Sequence, residues 1–190
     1  MKNTGFILKL AAILFAIAFV CTFILVLCNH ITAPVITQNT KIAEEEARLK
    51  VLPDAESFEP AECTSKGVTE AYTAADKDGN PAGYCFKIST KDNKNKPFGG
   101  EIQMIVGIDS ELCVTGVEIT TMAETPGLGA KANENDFKGQ FTGRTGEINV
   151  KNGENAIKAI SGATITSKAV TEGVNNAIKA AEILSGKEAK

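Results

Sequence analysis

The sequence predicts an α+β protein in which an N-terminal transmembrane helix precedes a domain with an antiparallel sheet flanked by helices. Three observations predict this fold class. An uncharged apolar run lies near the N-terminus, apolar and polar residues alternate through the middle of the chain, and a helical spacing of apolar residues returns near the C-terminus. The 190 residues leave room for one ordinary domain beside the membrane segment.

The apolar run extends from Leu10 to Cys28 and contains no charged residue, with Thr22 as its one polar side chain. In a helix these 19 residues span about 28 Å, close to the thickness of the hydrocarbon core of a bilayer. A cleaved signal peptide is the alternative. Its apolar segment, however, is usually only about 7–15 residues long. A cleavage site of the A-x-A type normally follows that segment, and this sequence has no such site after the run. We therefore predict a retained single-pass anchor that contacts membrane lipid.

Charged residues beside the run predict its orientation. Lys2 and Lys9 lie on its N-terminal side, and no basic cluster follows it. The positive-inside rule places the N-terminus in the cytoplasm and the residues after 30 on the extracytoplasmic side of the cell (inner) membrane. The predicted organisation is a cytoplasmic stub and anchor over 1–30, a juxtamembrane helix and linker over 31–60, and a C-terminal domain over 61–190.

After the anchor, the residue pattern predicts each element in turn. Residues 34–51 have the apolar spacing of a helix that Pro53 ends. A polar loop follows at 90–97, and a last amphipathic helix begins near Thr166 or Ser167. Alternating residues predict the strands of an antiparallel meander near 68–74, 84–88, 102–106 and 112–119.

Composition excludes several classes of function. The formal net charge is −3 and Trp is absent, which argues against a nucleic-acid partner. His30 is the single histidine, so mechanisms with a histidine base or triad are excluded. Cys63, Cys85 and Cys113 are too far apart and too few for zinc or iron–sulfur ligation, so we predict no metal site. Whether any two of these cysteines form a disulfide stays open.

Two short loops contain the residues best suited to binding a ligand. The first has a proline and two glycines that impose an unusual backbone path, although a sheet-edge turn would use the same residue types; it consists of Glu124, Thr125, Pro126, Gly127, Leu128 and Gly129. The second immediately precedes the last helix and consists of Ser161, Gly162, Ala163, Thr164, Ile165, Thr166 and Ser167. Its small residues let backbone N–H groups approach a phosphate at the helix N-terminus, but a Ser/Thr-rich helix cap is the alternative.

The two loops in this order, after an N-terminal anchor, resemble the G subunit of the Rnf ion-translocating electron transport complex. The motifs E-T-P-G-L-G and S-G-A-T-x-T are also similar to those of the C subunit of the sodium-pumping NADH:quinone oxidoreductase. The resemblance covers nearly the whole chain and implies an FMN-binding domain. It further implies that a flavin transferase joins FMN covalently, through its phosphate, to the threonine of S-G-A-T, which is Thr164 here.

The resemblance also implies roles for the remaining loop residues. Ser161, Gly162, Ala163 and Thr166 belong to the cofactor site beside Thr164, and residues 124–129 lie against the flavin. Thr166 is the alternative attachment point. Lys168, on the first turn of the helix, is either a neighbour of the phosphate or a solvated lysine.

Electron transfer is the function that the resemblance implies. The chain would be the flavoprotein subunit of a ferredoxin:NAD oxidoreductase, with the other Rnf subunits as partners, no complete activity alone and no catalytic acid or base of its own. One apolar span without charge forms no ion path, so ion translocation would belong to the assembly. The alternatives are a stand-alone anchored FMN domain for extracellular electron transfer or a reductase, and a cofactor-free sensor or adaptor.

Overall fold

The structure is a computed structural model that describes residues 4–150, 153 and 155–186. The chain divides into two compact units, Met1–Ile42 and Ala43–Lys190. Helix α1, Thr4–Val51, is the one helix among the described residues that is long and apolar enough to cross a membrane. None of its most apolar stretch is buried within the protein, as a lipid-facing helix requires.

Helix α1 is continuous, so the predicted anchor and the helix predicted over 34–51 form one element. It runs through Pro34 to its end at Val51. A proline removes one backbone hydrogen bond, and the helix continues on both sides of it. The hydroxyls of Thr32 and Thr37 donate to the carbonyl oxygens of Cys28 and Ala33, at 2.9 and 3.0 Å.

The second unit contains a five-stranded sheet in which every strand pairs antiparallel with the next one along the chain. This topology confirms the predicted meander. Its strands are β1 Ser57–Ala61, β2 Val68–Ala75, β3 Pro81–Ser89, β4 Gln103–Asp109 and β5 Val114–Thr121.

Two differences from the expected strands have local causes. Strand β1 was not predicted, and it contains Pro60. A proline is tolerated there because β1 lies at the edge of the sheet, where one side of the strand has no pairing partner. Leu112 was expected to open the fifth strand, but it lies in the preceding turn with a φ of 67°. The Asp109 carboxylate accepts from the N–H groups of Glu111 and Cys113 and so holds that turn.

The chain after the sheet contains short elements and one long helix. A 3₁₀ turn, Gly129–Asn133, leads into α2, Asn135–Lys138. Strands β6 and β7, Asn149–Val150 and Ala156–Ile157, form a parallel pair. Helix α3, Thr164–Ser185, begins at Thr164 and not near Thr166 or Ser167 as predicted, because the hydroxyls of those two residues bond elsewhere and do not cap it.

Helix α3 packs on one face of the sheet and forms the main core. The strand alternation of β3 and β4 directs one set of apolar residues toward the helix. Gly173 allows close approach, since a Cβ there would lie 3.0 Å from the Met104 methyl carbon. The buried residues of this layer include Phe86, Ile88, Met104, Val106, Val170, Val174, Ala177 and Ile178.

The last turns of α1 pack on other residues of the same strands. Ala47 and Val51 of α1, and Leu52 directly after it, form a second apolar cluster with Cys85 and Ile105. Burial raises the pKa of Cys85 to about 12, so this thiol stays protonated in the cluster.

Charged groups surround this second cluster. The Lys87 ammonium lies 2.9 Å from a Glu44 oxygen and 3.0 Å from a Glu70 oxygen. The Arg48 guanidinium stands 4.3 Å from the centre of the Tyr72 ring. Because Glu44 is largely buried, removal of Lys87 would leave its carboxylate uncompensated.

A cross-strand glycine pair receives the end of α1. Gly107 and Gly116 face each other on β4 and β5, and the Val51 backbone lies against both. The Thr115 hydroxyl donates to the Val51 carbonyl oxygen. A Cβ at position 107 would come within 2.5 Å of that oxygen, so the site has no room for a side chain.

We predict that Gly107→Ala destabilises the domain by about 1–3 kcal/mol, because the new methyl group overpacks the Val51 contact. The expected result is a lower thermal unfolding midpoint of the full chain in detergent. Gly5→Ala is the control, since its methyl group meets nothing within 4 Å. Equal midpoints for the two variants would contradict the close contact.

The loop at 90–97 is held against α3 by Glu172. Its carboxylate accepts from the N–H groups of Lys94 and Asn95, from the Asn95 amide at 3.0 Å, and pairs with Lys66 at 3.0 Å. Burial acts to raise the pKa of Glu172, but these hydrogen bonds outweigh it and lower the pKa to about 2.

We predict that this carboxylate makes stability depend on pH. Its folded-state pKa of about 2 lies below the usual value of 4.5, so its contribution is complete above pH 4.5 and is lost as the pH falls toward 2. Glu172→Gln should flatten the decrease in the free energy of unfolding between pH 5 and pH 3, measured by urea titration. Glu147→Gln serves as the control, and equal slopes in both variants would refute the assignment.

Candidate functional site

Three segments that are distant in the sequence meet at the buried carboxylate of Glu124. Its Oε1 accepts from the backbone N–H of Gly99 at 2.7 Å, and its Oε2 accepts from the Thr166 hydroxyl at 3.1 Å. Glu124 and Thr166 are 9% and 1% exposed. A charged acceptor with two donors in a buried setting is a strong connection. It joins the segment at 98–100, the 124–129 loop and α3 at one point.

Glycines allow the two predicted loops to approach each other. Gly129 lies directly against the Glu124 carboxylate, where a Cβ would overlap it. Gly162 has a φ of 79°, and a Cβ there would lie 3.1 Å from a methyl carbon of Leu128. The structure therefore brings the loop at 124–129 into contact with the loop at 161–167.

The Ser167 side chain fixes the start of α3 without capping the helix. The Ser167 hydroxyl donates to the Ala163 carbonyl at 2.9 Å and accepts from the Ile160 N–H at 3.0 Å. Ala163 is the N-cap, and no side chain bonds to the first N–H groups of the helix there. Helix N–H groups without a side-chain cap carry partial positive charge and suit an anionic oxygen.

The two threonines of the S-G-A-T-x-T motif have different surroundings. Thr166 is buried and its hydroxyl donates to Glu124. Thr164 is half-buried at the first position of α3, and its hydroxyl has no hydrogen bond to any other described residue. Thr164 is thus the more accessible hydroxyl of the two.

The remaining predicted site residues differ in burial. Ala163 and Gly129 are buried with Glu124, whereas Ser161 and Gly162 are exposed. The turn at 125–128 is closed by the Leu128 and Ala130 N–H groups, which donate to the Thr125 carbonyl at 3.1 and 3.2 Å. Its exposed members are Thr125, Pro126, Gly127 and Leu128.

Residues 98–100 were not predicted as part of the site, although Gly99 touches Glu124. The sequence feature that could have indicated this segment is a Phe followed by two glycines, directly after a polar loop. Outside α1, the large apolar side chains that are exposed among the described residues are Phe98, Leu128, Ile165 and Ile183. The first three belong to the segments that Glu124 joins, which makes this the most apolar exposed part of the described domain.

The structure offers no cluster of metal ligands within the described residues. The cysteines at 63, 85 and 113 are free thiols, and burial raises the pKa of each of them. A raised pKa keeps a thiol protonated and weakly nucleophilic. The ligand chemistry of this site therefore depends on backbone N–H groups, hydroxyls and apolar side chains.

We predict that Glu124→Ala separates the three segments, because it removes the acceptor for two donors and leaves the Thr166 hydroxyl unpaired. The cost should be about 3 kcal/mol, seen as a lower thermal unfolding midpoint of the full chain. Faster hydrogen exchange of the Gly99 amide should accompany it. Glu134→Ala is the matched control, being exposed; unchanged exchange at Gly99 in Glu124→Ala would count against the connection.

Comparison with known proteins identifies relatives over most of the chain. Residues 1–51 match the RnfG N-terminal region, and residues 98–179 match the FMN-binding domain family. The second match contains both candidate loops and Gly99. Both candidate loops therefore lie within the part of the chain that matches the FMN-binding domain family.

Individual relatives agree with these matches. The chain is 36% identical to the G subunit of the Na(+)-translocating ferredoxin:NAD(+) oxidoreductase complex of Acetobacterium woodii, over 94% of this chain and 93% of the relative. It is 30% identical to the G subunit of the proton-translocating ferredoxin:NAD(+) oxidoreductase complex of Clostridium ljungdahlii, over 88% of each chain. The crystal structure of the C subunit of the Na(+)-translocating NADH-quinone reductase from Parabacteroides distasonis shares the fold, with a TM-score of 0.53 and 18% identity over 77% of this chain and 94% of that chain.

Proposed function

The chain belongs to the family of G subunits of ion-translocating ferredoxin:NAD(+) oxidoreductase (Rnf) complexes, and we propose that it transfers electrons through FMN joined covalently to Thr164. Family membership supports a flavoprotein subunit of a membrane-bound redox complex. The observation that carries the finer proposal is the accessible hydroxyl of Thr164 at the head of α3.

The contacts of the two threonines support Thr164 over Thr166 as the attachment point. A hydroxyl that accepts a phosphoryl group must reach the transferase and the flavin donor. Thr166 is 1% exposed and its hydroxyl bonds to Glu124, so modification there would break the connection between the three segments. Modification of Thr164 would leave that connection intact.

The helix terminus fits the phosphate of such a cofactor. A phosphodiester at Thr164 keeps one negative charge, and the N-terminus of α3 stabilises it by roughly 0.3–1 kcal/mol. The methyl side chain of Ala163 cannot accept a hydrogen bond, so it does not compete for the first N–H groups. Ser161 and Gly162 leave the approach open, since both are exposed and neither has a bulky side chain.

The loop at 124–129 supplies an apolar surface next to the attachment point. Leu128 contacts Gly162 and is 47% exposed, and Ile165 beside Thr164 is 39% exposed. These side chains would pack against an aromatic ring and exclude water from it. When bound, FMN supplies the one- and two-electron redox chemistry, and the protein supplies its position and surroundings.

The maturation step and the membrane topology belong to the same proposal. A threonine hydroxyl is a weak nucleophile, so a flavin transferase with a phosphoanhydride donor such as FAD is required; the Thr164 oxygen then replaces AMP at the flavin-side phosphorus. Helix α1 anchors the chain, with residues 1–30 as stub and anchor, 31–60 as the connection and 61–190 as the flavin domain. By the positive-inside rule, Lys9 supports a cytoplasmic N-terminus and an extracytoplasmic flavin domain. Lys2, the second lysine on that side of the apolar run, lies outside the described residues.

We predict that Thr164→Ala abolishes covalent flavin when the full chain is made together with a flavin transferase, because the acceptor oxygen is gone. Thr164→Ser should retain it, since serine keeps that oxygen. Intact-protein mass and fluorescence of the protein band after denaturing electrophoresis measure the outcome. Thr166→Ser is the control that preserves the Glu124 hydrogen bond. Flavin retained in Thr164→Ala, or an unmodified wild-type chain from native membranes, would overturn the proposal.

A further inference from the structure

A polar cleft of about 580 Å³ lies along one face of α3, outside the loops of the proposed flavin site. The charged side chains that line it are Lys66, Lys94, Lys168, Lys179, Glu147 and Glu172. Four lysines and two glutamates leave the cleft with a formal charge of +2. The whole chain has a formal charge of −3, so the cleft differs in sign from the protein that surrounds it.

Most of this positive charge is not neutralised within the chain. Glu172 already pairs with Lys66 and accepts three further hydrogen bonds from the 94–95 segment. No described carboxylate lies within 4 Å of the amino groups of Lys94, Lys168 or Lys179, and all three residues are exposed. Unpaired lysines that line one cleft produce a local positive potential that attracts an anionic ligand.

The position of the cleft connects it with Thr164. Residues 164, 168, 171, 175 and 179 follow one another at intervals of three and four residues, so they share one face of α3. Lys168 is one turn from Thr164. A ligand in the cleft would therefore lie next to a flavin attached at Thr164.

The distance between the two cleft lysines on α3 indicates the kind of ligand. Lys168 and Lys179 are separated by 11 residues of α3, which is about 16 Å along the helix axis. A single phosphate group is too small to contact both ends. An extended peptide of about five residues covers this distance and can present several carboxylates along it.

We propose that this cleft docks an acidic segment of a protein partner that exchanges electrons with the flavin. The inference rests on the proposed function, because the partner is then another subunit of the redox complex. Attraction between the lysines and the acidic segment would orient the partner beside Thr164 and would weaken as the salt concentration rises.

Carbodiimide coupling of the intact complex tests the contact directly, because the reagent joins carboxylates to amines that already touch. We expect amide links from Lys94, Lys168 or Lys179 to Asp or Glu residues of another subunit, identified by mass spectrometry of peptides. The pair of Lys66 and Glu172, 3.0 Å apart, is an internal control that shows that the reagent reaches the cleft. Coupling of that pair with no link from the three lysines to another subunit would overturn the proposal, whether the cleft is empty or faces lipid.

A charge-reversal variant tests the functional consequence. Lys94→Glu, Lys168→Glu and Lys179→Glu combined should lower ferredoxin:NAD(+) electron transfer in membranes at least tenfold, whereas three Lys→Arg changes at the same positions retain the charge and the rate. Lys41→Glu, Lys77→Glu and Lys91→Glu combined match the change in net charge outside the cleft and should act within twofold of the wild type.

The covalent flavin content of every variant separates this inference from the proposed function. Equal flavin with a reduced rate supports docking of a redox partner. A reduced flavin content in the cleft variant would instead assign the lysines to the transferase or its flavin donor and would overturn partner docking. An unmodified wild-type chain would refute the proposed function, and a wild-type rate in the cleft variant would refute this inference alone.

Discussion

The buried carboxylate of Glu124 is the interaction on which the candidate site depends. Gly99, Glu124 and Thr166 lie far apart in the sequence, and two hydrogen bonds to one carboxylate join them. Among the described residues, these two hydrogen bonds are the ones that join the 124–129 loop to the other two segments, whereas Glu172 separately holds the 90–97 loop against α3. A charged acceptor shielded from water also gives direction to the contact, which apolar packing alone does not provide.

The sheet and α3 place the partners of Glu124 within reach. Strand β5 ends at Thr121, which delivers the 124–129 loop to one end of the sheet. The core beneath α3, with Gly173 against Met104, sets the depth at which the helix lies. Thr166 then points inward to Glu124, while Thr164 remains accessible at the helix N-terminus. The same packing that buries Thr166 therefore leaves Thr164 half-buried and accessible.

Helix α3 contributes to both of the proposed surfaces. Its N-terminus offers uncapped N–H groups next to Thr164, and its exposed face carries Lys168 and Lys179 of the cleft. Glu172 holds the 90–97 loop beside this face, and the same loop leads into Gly99 at the carboxylate of Glu124. If both proposals hold, cofactor attachment and partner docking would use the same helix, which would keep the distance between flavin and partner constant.

Local patterns in the sequence were sufficient to predict the anchor, the antiparallel meander, the last helix and the two loops. The spacing of apolar residues and the choice of turn residues depend on neighbours that are close in the sequence. The start of α3 at Thr164 and strand β1 were not predicted, since each depends on contacts between residues that are distant in the sequence. The distinction between Thr164 and Thr166 has the same origin. Both are threonines in one motif, and only the folded position of Glu124, 42 residues before Thr166, makes one hydroxyl a buried hydrogen-bond donor and leaves the other accessible.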